Sequence, residues 1–252
     1  KRVNRKEKSD EEKEVQKENM TQSMKVVVVI VLLSIFVAYC AVEDTFMAFL
    51  STFCVRQLKW TKVKGALITS AFWAAFAVGR LAGIVLVVIF SPVTLIFFHA
   101  TLELVALAGI FVSAWFDVHI GMWISAPVLG YAMSIIFPSV FTWTEESFLP
   151  VTGFISSLFL VGATAGSSVN PLILGQIMEK YSDMWFIYLL TGEAVLLYTV
   201  IVIAYVLSKN IVKPNQAFQD VKIEIRSETD EDDHRSIIDD CDIHVNVESE
   251  RL

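Results

Sequence analysis

Two adjacent acidic residues, Glu43 and Asp44, lie inside an apolar stretch that runs from Val26 to Val55. A helix that crosses a bilayer needs about 20 mostly apolar residues, and a carboxylate inside it costs on the order of 3 kcal/mol on insertion scales. Such acids are expected to face a polar cavity, where their oxygens can accept hydrogen bonds from hydroxyl groups or bind a coupling cation. The alternative is that the helix is interrupted here and that both acids lie near the outer headgroups.

The composition is that of a membrane protein with two polar flanks. Hydrophobic residues make up 55 % of the chain, and the mean hydropathy is +0.59, which soluble domains do not reach. Residues 1–25 are polar with mixed charge and predict a cytoplasmic linker that is disordered or loosely helical. Residues 26–208 predict a membrane domain, and residues 209–252 predict an acidic, disordered cytoplasmic tail. The three cysteines show no metal-binding spacing.

The membrane domain contains six apolar segments, each long enough to span a bilayer. We place them at 26–55, 65–90, 93–115, 120–143, 153–177 and 184–207. The sequence therefore predicts an all-α, multi-pass protein whose short loops make consecutive helices antiparallel neighbours. On the side of the membrane that carries both termini, ten basic residues lie next to the helices, and on the opposite side there are five. This difference favours both termini in the cytoplasm. We expect the plasma membrane as the location.

Three more charged residues lie inside the segments. Arg80 is expected to extend toward the cytoplasm. There it either forms a structural latch with Glu145 or Glu146, at the inner end of the fourth segment, or reaches the headgroup region without a fixed partner. We do not pair it with Glu43, because the helical rise puts the two well over about 10 Å apart in depth. Glu103 and Glu193 fall near the midplane, and His99 shares a helix face with Glu103. Each acid is either a proton site or a neutral group bonded to a neighbouring helix, and the neutral form is favoured.

Small residues and prolines give two further predictions. Gly79 and Gly83, and likewise Gly162 and Gly166, have the spacing that lets two membrane helices approach closely. Prolines are expected to interrupt helices four and five and to free backbone carbonyls beside polar side chains; they are Pro127, Pro138 and Pro171.

Four stretches resemble the major facilitator superfamily, in particular its sugar-transporting, fucose-permease-like branch. The eighth helix of that branch is similar to LITSAFWAAFAVGRLAGI (67–84), and the seventh is similar to VAYCAVEDTFMAFLSTF (37–53). Helices ten and eleven are similar to GYAMSIIFPSVFTWTEE and FLVGATAGSSVNPLILGQIME. Within the branch, the likeness is greatest to the sodium-dependent glucose transporters. The chain differs from the superfamily in the loop after the eighth helix, where FSP (90–92) replaces the basic run that usually lies beyond Gly-Arg.

The resemblance implies a C-terminal six-helix half of a twelve-helix carrier, which would be a piece of a longer protein with residues 1–25 as its central loop. The partners would be the lipid bilayer, a missing N-terminal half and a glucose-like hexose, with Na⁺ or H⁺ as a coupling ion for symport, or facilitated diffusion instead. Transport would proceed by alternating access. The alternative is a non-transporting six-helix interaction or regulatory protein. We expect no enzyme activity, metal site or nucleic-acid binding, because the corresponding motifs are missing.

The resemblance also assigns roles to helices. Helices one and four would line the cavity with two and five beside them, whereas three and six, which carry Glu103 and Glu193, would be peripheral. A sugar needs hydrogen-bonding groups for its hydroxyls and an aromatic ring under its apolar face. The candidate binding residues are Glu43, Asp44, Trp73, Tyr131, Ser134, Trp143, Ser167 and Asn170, and the candidate gating residues are Arg80, Glu145 and Glu146.

Overall fold

The computed structural model describes residues 22–209, and this part of the chain folds into six helices without a strand. They are α1 (Gln22–Arg56), α2 (Lys62–Ile89), α3 (Pro92–Trp115), α4 (His119–Ser147), α5 (Gly153–Lys180) and α6 (Trp185–Lys209). All six are long and apolar enough to cross a membrane, so the predicted all-α fold class is confirmed. The predicted linker and tail, 1–25 and 209–252, fall almost entirely outside the described residues.

Short polar connections end one helix and start the next. Thr61, Ser91 and Thr152 each precede a helix, and each side-chain oxygen accepts a hydrogen bond from the backbone N–H three residues later. Such caps satisfy one of the four N–H groups that a helix start leaves without a partner. Lys59 and Asp117 adopt positive φ angles of 56° and 55° in two of the turns. The turns therefore reverse the chain within a few residues, which makes sequential helices neighbours.

Helices α1 and α4 make the most extensive contacts with the other helices. Helix α1 packs extensively against α5 and also contacts α2 and α4, while α4 packs extensively against α2 and α3. Phe36 on α1 contacts aromatic rings of both α4 and α5, and Phe46 stacks between Phe72 on α2 and Phe186 on α6. These aromatic contacts place α1 in the interior, so its polar side chains lie inside the bundle rather than on its surface.

The predicted glycine pairs are confirmed as points of close helix approach. A Cβ atom added at Gly166 would collide with the backbone carbonyl oxygen of Val37 on α1, and one at Gly162 would collide with Leu33. On α2, a Cβ atom at Gly79 would collide with the Ser134 side chain of α4. Only hydrogen fits at these positions, which lets the helix backbones come together.

The expectation that prolines interrupt helices four and five was wrong. Pro127 and Pro138 lie inside the continuous helix α4, and Pro171 lies inside the continuous helix α5. A proline removes one backbone hydrogen bond, but membrane helices tolerate this where neighbouring helices and polar side chains satisfy the freed groups. The helices therefore pass through these residues without breaking.

The α1–α5 contact is testable through Gly166. Replacing Gly166 by alanine should lower the melting temperature of the detergent-solubilised protein, because the methyl group would press on the Val37 carbonyl and overpacking costs about 1–3 kcal/mol. Gly192→Ala is the matched control, since a Cβ atom at Gly192 on α6 meets nothing within 4 Å. That control should keep or raise the melting temperature, because alanine is the better helix former by about 1 kcal/mol. Equal behaviour of the two variants would contradict the packing described.

Candidate functional site

The polar residues of α1 point toward two different neighbours. Successive helical residues are about 100° apart around the axis, because a turn contains about 3.6 residues. Glu43 therefore projects beside Tyr39, one turn earlier, and Asp44 and Thr45 project toward α5. The two adjacent acids do not act as one pair. The alternative of an interrupted helix is wrong, since both lie within the continuous helix Gln22–Arg56.

On the first of these faces, Tyr39 and Glu43 meet α4. Tyr39 is 1 % exposed, and its hydroxyl donates a hydrogen bond of 2.5 Å to the carbonyl oxygen of Met133. The Glu43 carboxyl, on a residue 8 % exposed, lies beside the same hydroxyl. Sequence reasoning missed Tyr39, although its position four residues before Glu43 put both on one helix face. The consequence is that Glu43 lies inside the bundle with a polar neighbour.

Arg80 approaches Glu43 more closely than the sequence-based depth predicted. Its charge lies near enough to act electrostatically on both Glu43 and Tyr39. The α1–α2 loop joins Arg56, the last residue of α1, to Lys62, the first residue of α2. Glu43 lies 13 residues before Arg56, and Arg80 lies 18 residues after Lys62. At ~1.5 Å per residue, the two Cα atoms lie about 20 and 27 Å from those ends, and the long arginine side chain can cover the remaining difference. The ion pair that the structure shows joins Arg56 and Asp183 instead, so leaving Glu43 and Arg80 unpaired agrees with the described residues, although their difference in depth is smaller than predicted.

On the second face, α1 is bonded to α5. The Ser167 hydroxyl donates a hydrogen bond to the Asp44 carboxylate. The Asn170 amide nitrogen lies 3.1 Å from the Ala41 carbonyl oxygen and 3.0 Å from the Thr45 hydroxyl oxygen. Three of the candidate binding residues, Asp44, Ser167 and Asn170, are thus brought together. Thr45 was not foreseen, and its position directly after the acidic pair was the only available signal.

The two midplane acids behave differently from each other. The Asn170 amide nitrogen also lies 2.8 Å from an oxygen of Glu193, so the hydrogen bond to a neighbouring helix that we predicted is present for Glu193. Glu103 is 1 % exposed, and neither of its carboxyl oxygens has a hydrogen-bond partner among the described residues. For Glu103, the predicted hydrogen bond is absent from the structure. Both acids point into the bundle, although their helices were expected to be peripheral.

The remaining candidate residues are spread along α2 and α4. The Ser134 hydroxyl donates to the Tyr131 carbonyl oxygen at 2.7 Å, and the Tyr131 ring lies 5.4 Å from the His99 ring. Trp143 is buried against Phe148 at the far end of α4. Trp73 is 47 % exposed on α2, where its ring contacts Phe76. The structure therefore gathers the α1 and α5 candidates but leaves Trp73 and Trp143 apart from them.

The guanidinium carbon of Arg80 lies 4.9 Å from the centroid of the Phe76 ring. Specific contacts are present at the end that carries the α1–α2 loop. There Arg56 forms an ion pair of 3.1 Å with Asp183, and the Trp60 indole nitrogen donates to His119 at 2.7 Å. A gating role for Arg80, Glu145 and Glu146 stays a prediction.

The chain resembles transporters over most of its membrane domain. No protein-family model matches it. Sodium-dependent glucose transporter 1 of Danio rerio is 30 % identical over 162 residues, which cover 61 % of this chain and 26 % of that protein. The Homo sapiens protein of the same name is 26 % identical over 149 residues, 59 % of this chain and 28 % of that protein. Major facilitator superfamily domain-containing protein 4A of Xenopus tropicalis is 24 % identical over 164 residues, 63 % of this chain and 32 % of that protein.

The resemblance to the major facilitator superfamily is thereby confirmed: these homologues are superfamily transporters, and such proteins are not enzymes. The matched segments span about a quarter to a third of the relatives' length. Together with six apolar helices, the homologues identify a multi-pass membrane protein.

The bond between Asn170 and Glu193 predicts an energetic coupling between α5 and α6. Asn170→Ala and Glu193→Ala should each lower the melting temperature, because each removes the hydrogen bond between the Asn170 amide and the Glu193 carboxyl. The double variant should lose less than the sum of the two, with a coupling of about 0.5–3 kcal/mol. The control pair joins Asn170→Ala with Glu179→Ala, an exposed acid near the end of α5, and its losses should add. Additive losses for Asn170 and Glu193 as well would contradict the contact.

Proposed function

We propose that this chain forms the C-terminal six-helix half of a twelve-helix transporter that carries a hexose-like solute by alternating access. The homologues support this reading, since two of the three are named as sodium-dependent glucose transporters and the third as a major facilitator superfamily domain-containing protein. In such carriers, solute binds near the bilayer midplane between two halves, and one half rocks against the other. The whole protein would lie in the plasma membrane with both termini in the cytoplasm.

The observation that carries the proposal is the buried polar network on α1. Its side chains reach α4 through Tyr39 and Glu43 and reach α5 through Asp44 and Thr45. Polar groups in a membrane interior are costly, and they mark the path of a solute or an ion when they are present. A helix that only anchors a protein in lipid has no use for two acids near its middle.

The chemistry of the network suits a polyhydroxylated solute. The Glu43 and Asp44 carboxylates can accept hydrogen bonds from hydroxyl groups. The Ser167 hydroxyl and the Asn170 amide donate to acceptors within the protein and can donate to a solute by exchanging those bonds. Sugars also stack their apolar face on aromatic rings, and Trp73 presents a half-exposed ring on α2. We assign Glu43, Asp44, Ser167 and Asn170 to the polar face of the solute and Trp73 to its apolar face. Tyr131, Ser134 and Trp143 would support them from α4.

The same acids can serve a coupling ion. Carboxylate and hydroxyl oxygens are suitable ligands for Na⁺, and a carboxylate can also bind a proton. The names of two relatives point to sodium. We propose symport with a cation, with Glu43 as the group that links the ion to the solute.

Replacing Glu43 by glutamine tests this role. In the full-length protein, Glu43→Gln should lower the initial rate of radiolabelled hexose uptake about tenfold, because a hydrogen bond to a charged group contributes about 1.5–3 kcal/mol. Surface expression, measured by biotinylation, should not change, since glutamine has nearly the same volume. Glu179→Gln, at an exposed position near the end of α5, should leave both quantities unchanged.

Two results would count against the proposal. Unchanged uptake in Glu43→Gln would remove this residue from the solute path. A full-length protein without saturable uptake of any hexose, in the presence or absence of sodium, would favour a six-helix interaction protein instead.

A further inference from the structure

His99 and Glu103 form a second buried polar group, separate from the contacts between α1 and α5. They lie one turn apart on α3 and are 0 % and 1 % exposed. Three of their polar atoms have no hydrogen-bond partner among the described residues: Nε2 of His99 and both carboxyl oxygens of Glu103. Most buried polar side-chain atoms in proteins have a partner, so three exceptions within one helical turn require an explanation.

The fourth polar atom fixes the protonation of the imidazole. Nδ1 of His99 lies 2.9 Å from the backbone carbonyl oxygen of Ala132 on α4. A carbonyl oxygen can only accept a hydrogen bond, so Nδ1 must carry the hydrogen. In the neutral ring, Nε2 is then an unprotonated base with a free lone pair. This base lies on the same helix face as the Glu103 carboxyl.

Charge counting shows what the pair can hold. With Nδ1–H fixed, one additional proton makes the pair neutral overall, whether it forms an O–H bond on Glu103 or an N–H bond on Nε2. Loss of that proton leaves one negative charge in a buried site without a bonded counter-ion, and burial makes this state costly. The pair therefore has two states that differ by one proton and by one unit of charge.

The groups that face this pair come from α1 and α4. From α1, the Glu43 carboxyl and the Tyr39 hydroxyl both interact electrostatically with Glu103. From α4, the Tyr131 ring packs on His99. Arg80 on α2 acts on Tyr39 and Glu43, whereas Tyr198 and Tyr205 of α6 contact Phe97 instead. His99 and Tyr39 bind to consecutive backbone carbonyl oxygens of α4, those of Ala132 and Met133, and Glu43 lies beside Tyr39. The pair therefore lies close to the contact between Tyr39 and Glu43.

We propose that His99 and Glu103 bind one exchangeable proton, and that its occupancy controls the protonation of Glu43 and hence the binding of solute and ion there. The proton comes from water and forms an O–H bond on Glu103 or an N–H bond on Nε2, and on release it returns to water. The control of solute binding rests on the proposed function, but the proton site itself does not.

A purely structural acid would be arranged differently. A neutral carboxyl buried for stability donates its hydrogen to a carbonyl or a side-chain acceptor, because an unsatisfied buried donor costs about 1–3 kcal/mol. Glu193 shows what a hydrogen-bonded interior acid looks like in this chain, with the Asn170 amide against its oxygen. Glu103 has no such bond, and its open acceptor is the lone pair of a histidine one turn away.

Infrared difference spectroscopy tests the site without any solute. The full-length protein in liposomes is titrated from about pH 5 to about pH 9, the range over which buried carboxyl groups and imidazoles exchange protons. We expect a protonated-carboxyl band that decreases with rising pH, that is lost in Glu103→Gln and that persists in the control Glu193→Gln. His99→Asn should move the midpoint of the titration, since asparagine retains a donor near Nδ1 for the Ala132 carbonyl but lacks Nε2.

Proton flux measured with a pH-sensitive dye inside the same liposomes tests the coupling. Hexose addition should drive proton entry in the unmodified protein, and Glu103→Gln should abolish that entry while retaining hexose exchange. A titrating band that Glu103→Gln does not remove would overturn the proton site. A band that behaves as expected, together with proton entry that survives Glu103→Gln, would overturn the control of transport. A protein that shows the band but moves no hexose would refute the proposed function and support the site.

Discussion

A bilayer interior offers no water to polar groups, so each one must find its partner inside the protein. In this chain that constraint acts mainly on α1. The Tyr39 hydroxyl reaches a carbonyl of α4, and the Asn170 amide of α5 reaches a carbonyl of α1. Each bond depends on the rotation of the helices about their axes. The polar residues therefore determine the orientation of α1 in the bundle. Aromatic side chains and glycines provide the close packing around it.

The same constraint separates structural from functional polar groups. Ser134 and Thr144 donate to carbonyls of their own helix and have no hydrogen left to offer. Glu43, Asp44 and Glu103 retain acceptor capacity inside the bundle. Groups of this second kind reduce stability unless something binds to them, and this explains why they are concentrated around one helix. A solute or an ion would satisfy them, and its departure would leave them ready for the next transport cycle.

The sequence predicted the six helices and their close contacts because long apolar runs and paired glycines act locally. It did not reveal Tyr39, or the proximity of Arg80 to Glu43, or the bond between Asn170 and Glu193. Those contacts depend on the rotation and depth of helices far apart in the chain. A few residues of error at a helix end displace a side chain by several ångströms, which is why the predicted difference in depth between Arg80 and Glu43 was too large. The prolines did not interrupt their helices, because the bundle compensates locally for the hydrogen bonds that they remove.

The most direct test of a half-transporter is whether the exposed face of α2 borders a water-filled cavity. Trp73→Cys would be introduced into the full-length protein together with Cys241→Ser, since Cys40 and Cys54 are buried. The account predicts rapid labelling by a membrane-impermeant thiol reagent and protection by hexose, while a cysteine at Val105, 61 % exposed on α3, stays unlabelled in lipid. Trp73→Cys that is as unreactive as the Val105 variant would contradict the account.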